Sequence, residues 1–342
     1  MRWIVARITA ESKGKAREAS APSRRAPATP AGGLFRLRLD APAALGYTAP
    51  VLRPRTGSVR MSSSQVTVKT LLAMRRRGDK ITMVTAYDYH SARVCDAAGI
   101  EMILVGDTLG MVIQGHENTL PVTVDDIVYH ARMVRRADPR AFVVADMPFL
   151  SYQVSVPEAV ANAGRLVKDG RAQAVKLEGG REFLNTVGAL TDASIPVMGH
   201  LGLTPQSIHR FGGFRVQGRS TDARKRLLED ASLLERAGCF SLVLEGIPFD
   251  LARQITESLS IPTIGIGAGP HCDGQVLVFH DLLGIESELR PKFVKRYAEL
   301  NDLMIEALAT YRREVKSGEF PDLDHSYGAA TRRAPRADHE DD

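Results

Sequence analysis

The chain has 342 residues, of which 44% are hydrophobic, so it can bury a sizeable core in one large domain or two smaller ones. Its formal charge of +5 is uneven, because residues 1–60 carry ten Arg and two Lys against three acidic residues, a net of +9 that leaves −4 for the remainder. The basic character therefore belongs to the N-terminal part, where no aromatic residues alternate with the arginines. These features argue against a nucleic-acid partner.

The three cysteines, Cys95, Cys239 and Cys272, lie far apart and form no CxxC pair. This spacing indicates neither a disulfide framework nor a zinc site and favours a reducing compartment. No apolar run reaches the roughly 18 residues needed to cross a membrane, and no secretory signal stands out. We therefore expect a cytoplasmic protein with no membrane partner.

Composition divides the chain into three parts. Residues 1–60 are rich in Ala, Arg, Pro and Ser and lack periodicity, so they are predicted to be a disordered basic extension that is dispensable for fold and activity. Residues 326–342 are predicted to be a disordered tail. Residues 61–325 then form a single folded domain.

The origin of the extension has three explanations, which are a misassigned start, a genuine disordered segment or an organelle-targeting peptide. It is Arg-rich and poor in acidic residues, as transit peptides are. Pro22, Pro27 and Pro30, however, would interrupt the amphipathic helix that a transit peptide forms. Met61, which opens MSSSQVTVKT, is a candidate for the true start. We favour a misassigned start in a bacterial cytoplasmic enzyme, which mass spectrometry of the native protein can check.

Eight short apolar runs alternate with amphipathic segments along the central part. The runs, read as buried parallel strands, are ITMVTAY (81–87), MILVGD (102–107), AFVVADMP (141–148), AQAVKLEG (172–179), PVMGHLG (196–202), FSLVLEG (240–246), PTIGIGAG (262–269) and QVLVFHD (275–281). The amphipathic segments, read as helices, include 123–137, 155–170 and 221–238, and 291–318 as one long helix or two.

This alternation predicts an α/β fold, specifically a (β/α)8 TIM barrel. A doubly wound open sheet is the alternative. No GxGxxG motif opens a helix after an early strand, since IGIGAG (264–269) lies within the seventh run. Eight strands are also the number that closes a barrel.

Polar residues stand at the carboxyl ends of the predicted strands, where barrel enzymes place their active sites. They are Asp107 and Thr108 (second run), Asp146 (third), Lys176 and Glu178 (fourth), His200 (fifth), Glu245 (sixth), and His280 and Asp281 (eighth). One such residue can equally be a helix cap. The whole set at one rim favours a function, although His280 and Asp281 are better read as structural.

Asp107, Asp146 and Glu178 come from three consecutive strands, which lie about 4.8 Å apart in a sheet. Three such carboxylates repel one another unless a cation joins them, and oxygen ligands without clustered Cys or His favour Mg²⁺. A 2-oxo acid could chelate the metal, and Glu245, on a different strand, would be the base that removes its adjacent proton. Lys176 has two possible roles, pairing with the acidic cluster or holding a substrate carboxylate. His200 is either a core histidine or a site residue.

Motifs around these residues resemble those of the ketopantoate hydroxymethyltransferase family over residues 64–327. The stretches that carry the resemblance are TAYDYHSA (85–92), VGDTLGMVIQGHENTLPVT (105–123), ADMPF (145–149), KLEGG (176–180), GHLGLTPQS (199–207), FGGFRVQGR (211–219), LVLEGIP (242–248), IGIGAGPHCDGQVLVFHD (264–281) and PKF (291–293).

The resemblance implies a barrel of the phosphoenolpyruvate/pyruvate type, with Mg²⁺ as cofactor and 5,10-methylenetetrahydrofolate as co-substrate. The reaction would convert 3-methyl-2-oxobutanoate to 2-dehydropantoate, a step of pantothenate biosynthesis. It also implies small-molecule partners and a homo-oligomer, expected to be a decamer. The implied roles are metal and substrate binding for Asp107 and Asp146, metal binding for Glu178, substrate binding for Thr108, Lys176 and His200, and proton acceptance for Glu245.

The sequence departs from the family pattern at Thr108, where Ser is usual, and at Phe214 and Arg215, where a Tyr-Lys pair is common. The hydroxyl of Thr108 preserves the expected hydrogen bond to substrate. An alternative function is that of a Mg²⁺-dependent carbon–carbon lyase of the isocitrate-lyase-like group, although no candidate catalytic cysteine is apparent. A barrel that only binds a ligand would have lost rim carboxylates, and none is missing.

Overall fold

A computed structural model of the chain describes residues 64–285 and 291–328. The prediction of disorder for residues 1–60 lies outside these ranges, as does that for the tail beyond residue 328. All eight predicted strands are present, as β1 Ile81–Thr85, β2 Met102–Val105, β3 Phe142–Asp146, β4 Ala174–Glu178, β5 Val197–Gly202, β6 Ser241–Glu245, β7 Thr263–Ile266 and β8 Gly274–Leu277.

The strands form a closed parallel barrel in chain order, in which β8 pairs with β1. The barrel prediction is therefore confirmed, and the open doubly wound sheet is excluded. Each strand of β2, β3 and β4 is buried along its whole length, because helices cover the outer face and side chains fill the interior. In this arrangement all carboxyl ends of the strands lie at the same rim.

Helices follow most of the strands. Their bounds are α1 Val68–Arg77, α2 Tyr89–Ala97, α3 Leu109–Val112, α4 Val124–Arg136, α5 Val156–Lys168, α6 Leu184–Asp192, α7 Ile208–Phe211, α8 Thr221–Arg236, α9 Phe249–Ser258, α10 Phe279–Leu283 and α11 Leu300–Ser317. Short 3₁₀ turns at Arg181–Phe183 and Pro205–Ser207 precede α6 and α7. Helix α4 begins with a capping box, since Thr123 and Asp126 bond reciprocally.

Helix α1 closes the end of the barrel at which the strands begin. The sequence analysis did not predict this helix. Leu71 and Met74 of this helix belong to the apolar cluster inside the barrel. The rings of Phe142 and Phe240 meet edge to face in the same cluster, with centroids 5.6 Å apart. A second, larger cluster lies between the strands and the surrounding helices. The three cysteines are free and buried.

The two largest errors in the predicted boundaries concern β8 and the last helix. Strand β8 ends at Leu277 instead of continuing to residue 281, so His280 and Asp281 lie in the short helix α10 and not at a strand end. The chain turns here because Phe279 N–H donates to Thr85 Oγ1 at 3.0 Å, which replaces the next bond of the strand ladder.

The helix predicted over 291–318 begins only at Leu300. Tyr297 N–H donates to Leu282 O and Asn301 N–H to Gly284 O, both at 2.9 Å. These bonds tie the preceding segment to α10, so its backbone is not free to form the i to i−4 bonds of a helix. Among the helices of the described ranges, none is long and apolar enough to cross a lipid bilayer.

Gly202 ends β5 beside the backbone of the candidate base Glu245. Its φ is +101°, and a Cβ atom there would lie 2.2 Å from Glu245 O. We expect Gly202→Ala to lower the free energy of unfolding by more than the roughly 1–3 kcal/mol of a strained backbone conformation, because a clash adds to the strain. Urea denaturation measures this change.

The matched control is Gly188→Ala within α6, where nothing lies within 4 Å of an added Cβ. This substitution should stabilise the protein by about 0.5–1 kcal/mol, since alanine loses less entropy in a helix. Equal effects of the two variants would show that the backbone of β5 tolerates a side chain at Gly202.

Candidate active site

A cavity of about 50 Å³ opens at the carboxyl ends of the strands and contains every predicted site residue. Its wall is polar towards β2–β6 and apolar towards β7 and β8. The lining residues are Thr85, Leu104, Asp107, Thr108, Asp146, Lys176, Glu178, His200, Pro205, Val243, Glu245, Ile266, Val276 and Val278. We call this space the acid cavity.

Three carboxyl groups lie buried in the acid cavity, with Asp107 and Asp146 each 2% and Glu178 3% exposed. Asp146 accepts a hydrogen bond from the backbone N–H of Asp107 at 3.0 Å, which holds the ends of β2 and β3 together. The predicted convergence of these residues on a small volume is therefore observed. Their role as metal ligands remains a prediction.

Lys176 supplies the positive charge of the cluster. Its Nζ lies 3.0 Å from Asp146 Oδ1 and 3.9 Å from Glu178 Oε1. Burial disfavours the ammonium form, but Asp146 and Glu178 outweigh that effect and raise the pKa of Lys176 above its usual value. The residue remains charged, and its structural pairing with the acidic cluster is present. Its contact with a substrate carboxylate remains a prediction.

His200 lies between two carboxylates from neighbouring strands. Its Nδ1 is 3.4 Å from Glu178 Oε1, and its Nε2 is 3.3 Å from Glu245 Oε2. Burial and the charge of Lys176 both oppose protonation of the imidazole, but the two carboxylates prevail and raise the pKa of His200 to about 9. The ring thus links the metal-site candidates to the candidate base, and its Nδ1 also lies 3.3 Å from Lys176 Nζ.

The carboxyl groups do not ionise equally. Burial and then the charges of Asp146 and Glu178 raise the pKa of Asp107 well above its ordinary value. Burial also raises the pKa of Asp146, although Lys176 opposes this shift. Burial acts in the same direction on Glu178, but the bond from His200 and the charge of Lys176 reverse it, so the pKa is lowered. Another cation beside Asp107 would therefore be favoured electrostatically.

Tyr87 is a site residue that sequence reasoning missed. Its hydroxyl lies 2.7 Å from Thr108 Oγ1, and its side chain is 1% exposed. Thr108 therefore has one fixed hydrogen-bond partner and can make a further bond to a ligand in the acid cavity. Tyr87 lies within the motif TAYDYHSA (85–92), which offered the signal, but an aromatic residue after an apolar run is usually core.

Gln206 connects the strand ends and was also missed. Its amide Nε2 donates to Asp107 Oδ2 and to Met147 O, both at 2.9 Å, while its backbone N–H donates to Glu178 Oε2 at 3.0 Å. Its Oε1 accepts from Tyr152 Oη at 2.8 Å. Gln206 thus orients two carboxylates of the acid cavity, Asp107 through its side chain and Glu178 through its backbone. The signal was its place in GHLGLTPQS (199–207), whereas nothing in the sequence pointed to Tyr152.

Comparison with known proteins gives the context of this geometry. The family model for ketopantoate hydroxymethyltransferase matches residues 65–323. The chain belongs to this family. It is 60% identical over 264 residues to the 3-methyl-2-oxobutanoate hydroxymethyltransferase of Moorella thermoacetica, which covers 77% of the chain and 98% of that relative. The Geobacter metallireducens protein of the same name is 59% identical over 261 residues and is covered to 98%.

Solved structures support the barrel from more distant relatives. A phosphonopyruvate hydrolase structure has a TM-score of 0.52 at 11% identity and covers 78% of this chain and 92% of that one. A 2,3-dimethylmalate lyase of the PEP mutase/isocitrate lyase superfamily has a TM-score of 0.50 at 17% identity and covers 76% and 88%. At these identities the likeness shows the shared fold alone.

We expect Lys176→Met to destabilise the protein by about 3–5 kcal/mol at pH 8, because it leaves Asp146 as a buried charge without its partner. The difference in unfolding free energy between the variant and the native protein should become smaller as the pH is lowered. The pKa values of Asp107 and Asp146 are already raised, and removing the ammonium raises that of Asp146 further, so the folded variant takes up protons before the unfolded chain. Denaturant unfolding at several pH values measures this dependence.

Lys225→Met is the matched control, because Lys225 is exposed on α8 and lies 4.0 Å from Glu229. An exposed pair contributes little. If Lys176→Met lowered the free energy of unfolding no more than this control at every pH, the ion pair in the acid cavity would not be needed for stability.

Proposed function

We propose that the protein transfers a hydroxymethyl group from 5,10-methylenetetrahydrofolate to 3-methyl-2-oxobutanoate and forms 2-dehydropantoate for pantothenate biosynthesis. The observation that carries the proposal is the acid cavity, which brings Asp107, Asp146, Glu178 and Glu245 together in a chain 60% identical to a protein named for this reaction. Water supplies the hydroxyl oxygen, so donor, 2-oxo acid and water give tetrahydrofolate and 2-dehydropantoate.

The acid cavity fits a magnesium ion through Asp107 and Asp146. Within the described ranges no three His, Cys, Asp or Glu side chains are already arranged to hold a metal. Mg²⁺, however, commonly binds through one or two carboxylates and keeps several waters or substrate oxygens. Asp146 Oδ1 is a buried oxygen whose described partner is the Lys176 ammonium, 3.0 Å away, and a carboxylate oxygen can accept from two partners. This leaves an acceptor available for a hard cation.

Glu178 is less available as a direct ligand than the two aspartates. One of its oxygens faces His200 and Lys176, and the other accepts from the backbone of Gln206. We propose that Glu178 completes the charge of the metal site, as the resemblance implies. When bound, Mg²⁺ would stabilise negative charge on the keto oxygen of the substrate.

Three residues would bind the 2-oxo acid beside that ion. The ammonium of Lys176 is the natural partner of the substrate carboxylate, because it is buried and charged. Thr108 Oγ1 would donate a hydrogen bond to substrate, and its bond with Tyr87 fixes its position. His200 lies between Glu178 and Glu245 and would help to hold the substrate between them.

Glu245 is the proposed base. Its side chain is 15% exposed, whereas that of Glu178 is 3% exposed, so it borders the open part of the acid cavity. Glu245 would take the proton from the carbon adjacent to the keto group, and that carbon then forms a bond to the one-carbon unit. His200 Nε2 lies 3.3 Å from Glu245 Oε2 and would orient the base.

The lyase alternative gains no support beyond the fold. Such lyases are expected to use a cysteine, but the three cysteines of this chain are buried and none lines the acid cavity. Burial raises the pKa of Cys95 to about 11 and that of Cys239 to about 12, and it also raises the pKa of Cys272. These thiols are poor nucleophiles near neutral pH.

Glu245→Gln should retain binding of 3-methyl-2-oxobutanoate and lose roughly 10²–10⁴-fold in turnover, because the amide has the same shape but cannot accept the proton. Calorimetric titration with the 2-oxo acid and a product assay measure the two effects. Loss of 2-oxo acid binding in this variant would make Glu245 a binding residue instead of the base.

Asp107→Ala and Asp146→Ala should each nearly abolish activity and weaken Mg²⁺ binding, and EDTA should silence the native enzyme until Mg²⁺ is restored. Titration with the metal alone and the product assay test this expectation. The control is Asp125→Ala, since Asp125 is exposed on α4 and pairs with Arg165 outside the acid cavity. Normal turnover of both site variants at modest Mg²⁺ would refute the metal assignment.

We further propose a homo-oligomer, expected to be a decamer, that functions in the cytoplasm. Helix α11 has no buried residue, although it carries the large apolar side chains of Leu303, Met304, Ile305, Leu308, Tyr311 and Val315. Exposed apolar surface of this kind favours burial against another chain. Light scattering should give a mass of several chains, and a monomer would contradict the proposal. The three free thiols favour a reducing compartment.

A further inference from the structure

A second and larger cavity lies beside the acid cavity. It has a volume of about 380 Å³ and is formed by the loops that follow β3, β4 and β5 together with α8. Glu178 lines both cavities. Cavities that hold ligands the size of a drug or cofactor measure roughly 300–1,000 Å³, so this space is large enough for a second substrate. We call it the aromatic cavity.

Aromatic side chains form part of its wall. The rings of Tyr152 and Phe183 meet edge to face with centroids 5.0 Å apart, and Phe149 and Phe211 line the same space. Tyr152 is anchored by its hydroxyl, which donates to Gln206 Oε1 at 2.8 Å. A wall of fixed rings offers stacking and edge contacts to a flat ring system.

The aromatic cavity is also lined by a guanidinium that has no partner among the described residues. Arg210 lines it and is exposed, and it forms no hydrogen bond or ion pair with the described residues. Arg226, which lines the same cavity, is by contrast close to Asp230 at 3.6 Å and to Glu182 at 3.9 Å. A guanidinium without a partner beside an aromatic wall suits a ligand that joins a flat ring to a carboxylate.

We infer that the aromatic cavity binds the tetrahydrofolate donor, an assignment that rests on the proposed function. The pterin ring system would pack against the aromatic wall, and a carboxylate of the glutamate tail would pair with Arg210. The one-carbon end would lie towards Glu178, where the two cavities adjoin. The acid cavity, with its small volume and buried charges, then takes the 2-oxo acid, so each substrate has a site of matching chemistry.

The test is calorimetric titration of the full chain with 5-formyltetrahydrofolate, a stable analogue of the donor. Arg210→Ala should weaken binding roughly ten-fold or more, the effect of losing one bond to a charged group. Ala223→Trp places an indole in the aromatic cavity, which Ala223 lines from α8, and should abolish binding. Arg136→Ala, which alters an exposed arginine of α4 outside both cavities, should change nothing.

A parallel titration with 3-methyl-2-oxobutanoate separates a blocked cavity from a misfolded protein. Both cavity variants should bind the 2-oxo acid as the native chain does. If Ala223→Trp loses this binding too, Arg210→Ala decides the assignment. Native affinity for the analogue in Arg210→Ala, or in a folded Ala223→Trp, would overturn the assignment even if the native chain forms product. A native chain that binds the analogue at this site but forms no 2-dehydropantoate would refute only the proposed function.

Discussion

The buried ion pair between Lys176 and Asp146 is the interaction on which the candidate site depends. Four carboxyl groups share one small cavity, where isolated charges would be costly. The ammonium of Lys176 offsets part of this negative charge, and the ring of His200 lies between two of the carboxylates. They reach the cluster because β3, β4 and β5 are adjacent, with Asp146 opposite Lys176 and Glu178 opposite His200 in the strand register. The barrel therefore supplies charge balance as well as position.

Much of the fold was predictable because its strands are buried on both faces and read as uninterrupted apolar runs. All eight runs became strands in the expected order. The errors arose where tertiary hydrogen bonds override a local pattern. The apolar run at 275–281 leaves the sheet after β8 because the N–H of Phe279 donates a hydrogen bond to the side chain of Thr85. The segment before Leu300 is likewise bonded to α10 and does not form a helix.

The site residues were predictable where they lie at the carboxyl ends of strands. Asp107, Asp146, Lys176, Glu178, His200 and Glu245 all occupy such positions, and one cavity includes them. Tyr87, Tyr152 and Gln206 were missed for a different reason. Their importance comes from hydrogen bonds to residues far away in the chain, such as that between Gln206 and Asp107. Sequence spacing carries no signal of such contacts.

The amide of Gln206 also bears on how the loop after β5 can move. Its bonds reach Asp107 of the β2 end, Met147 of the β3 end and Tyr152 beyond it, so displacing it would break several buried bonds together. Farther along the loop, Gly212 and Gly213 both adopt positive φ, and Gly212 is the left-handed cap of α7. The loop thus has a fixed root beside the carboxylates, so a ligand that contacts its outer part would leave the carboxylates in their places.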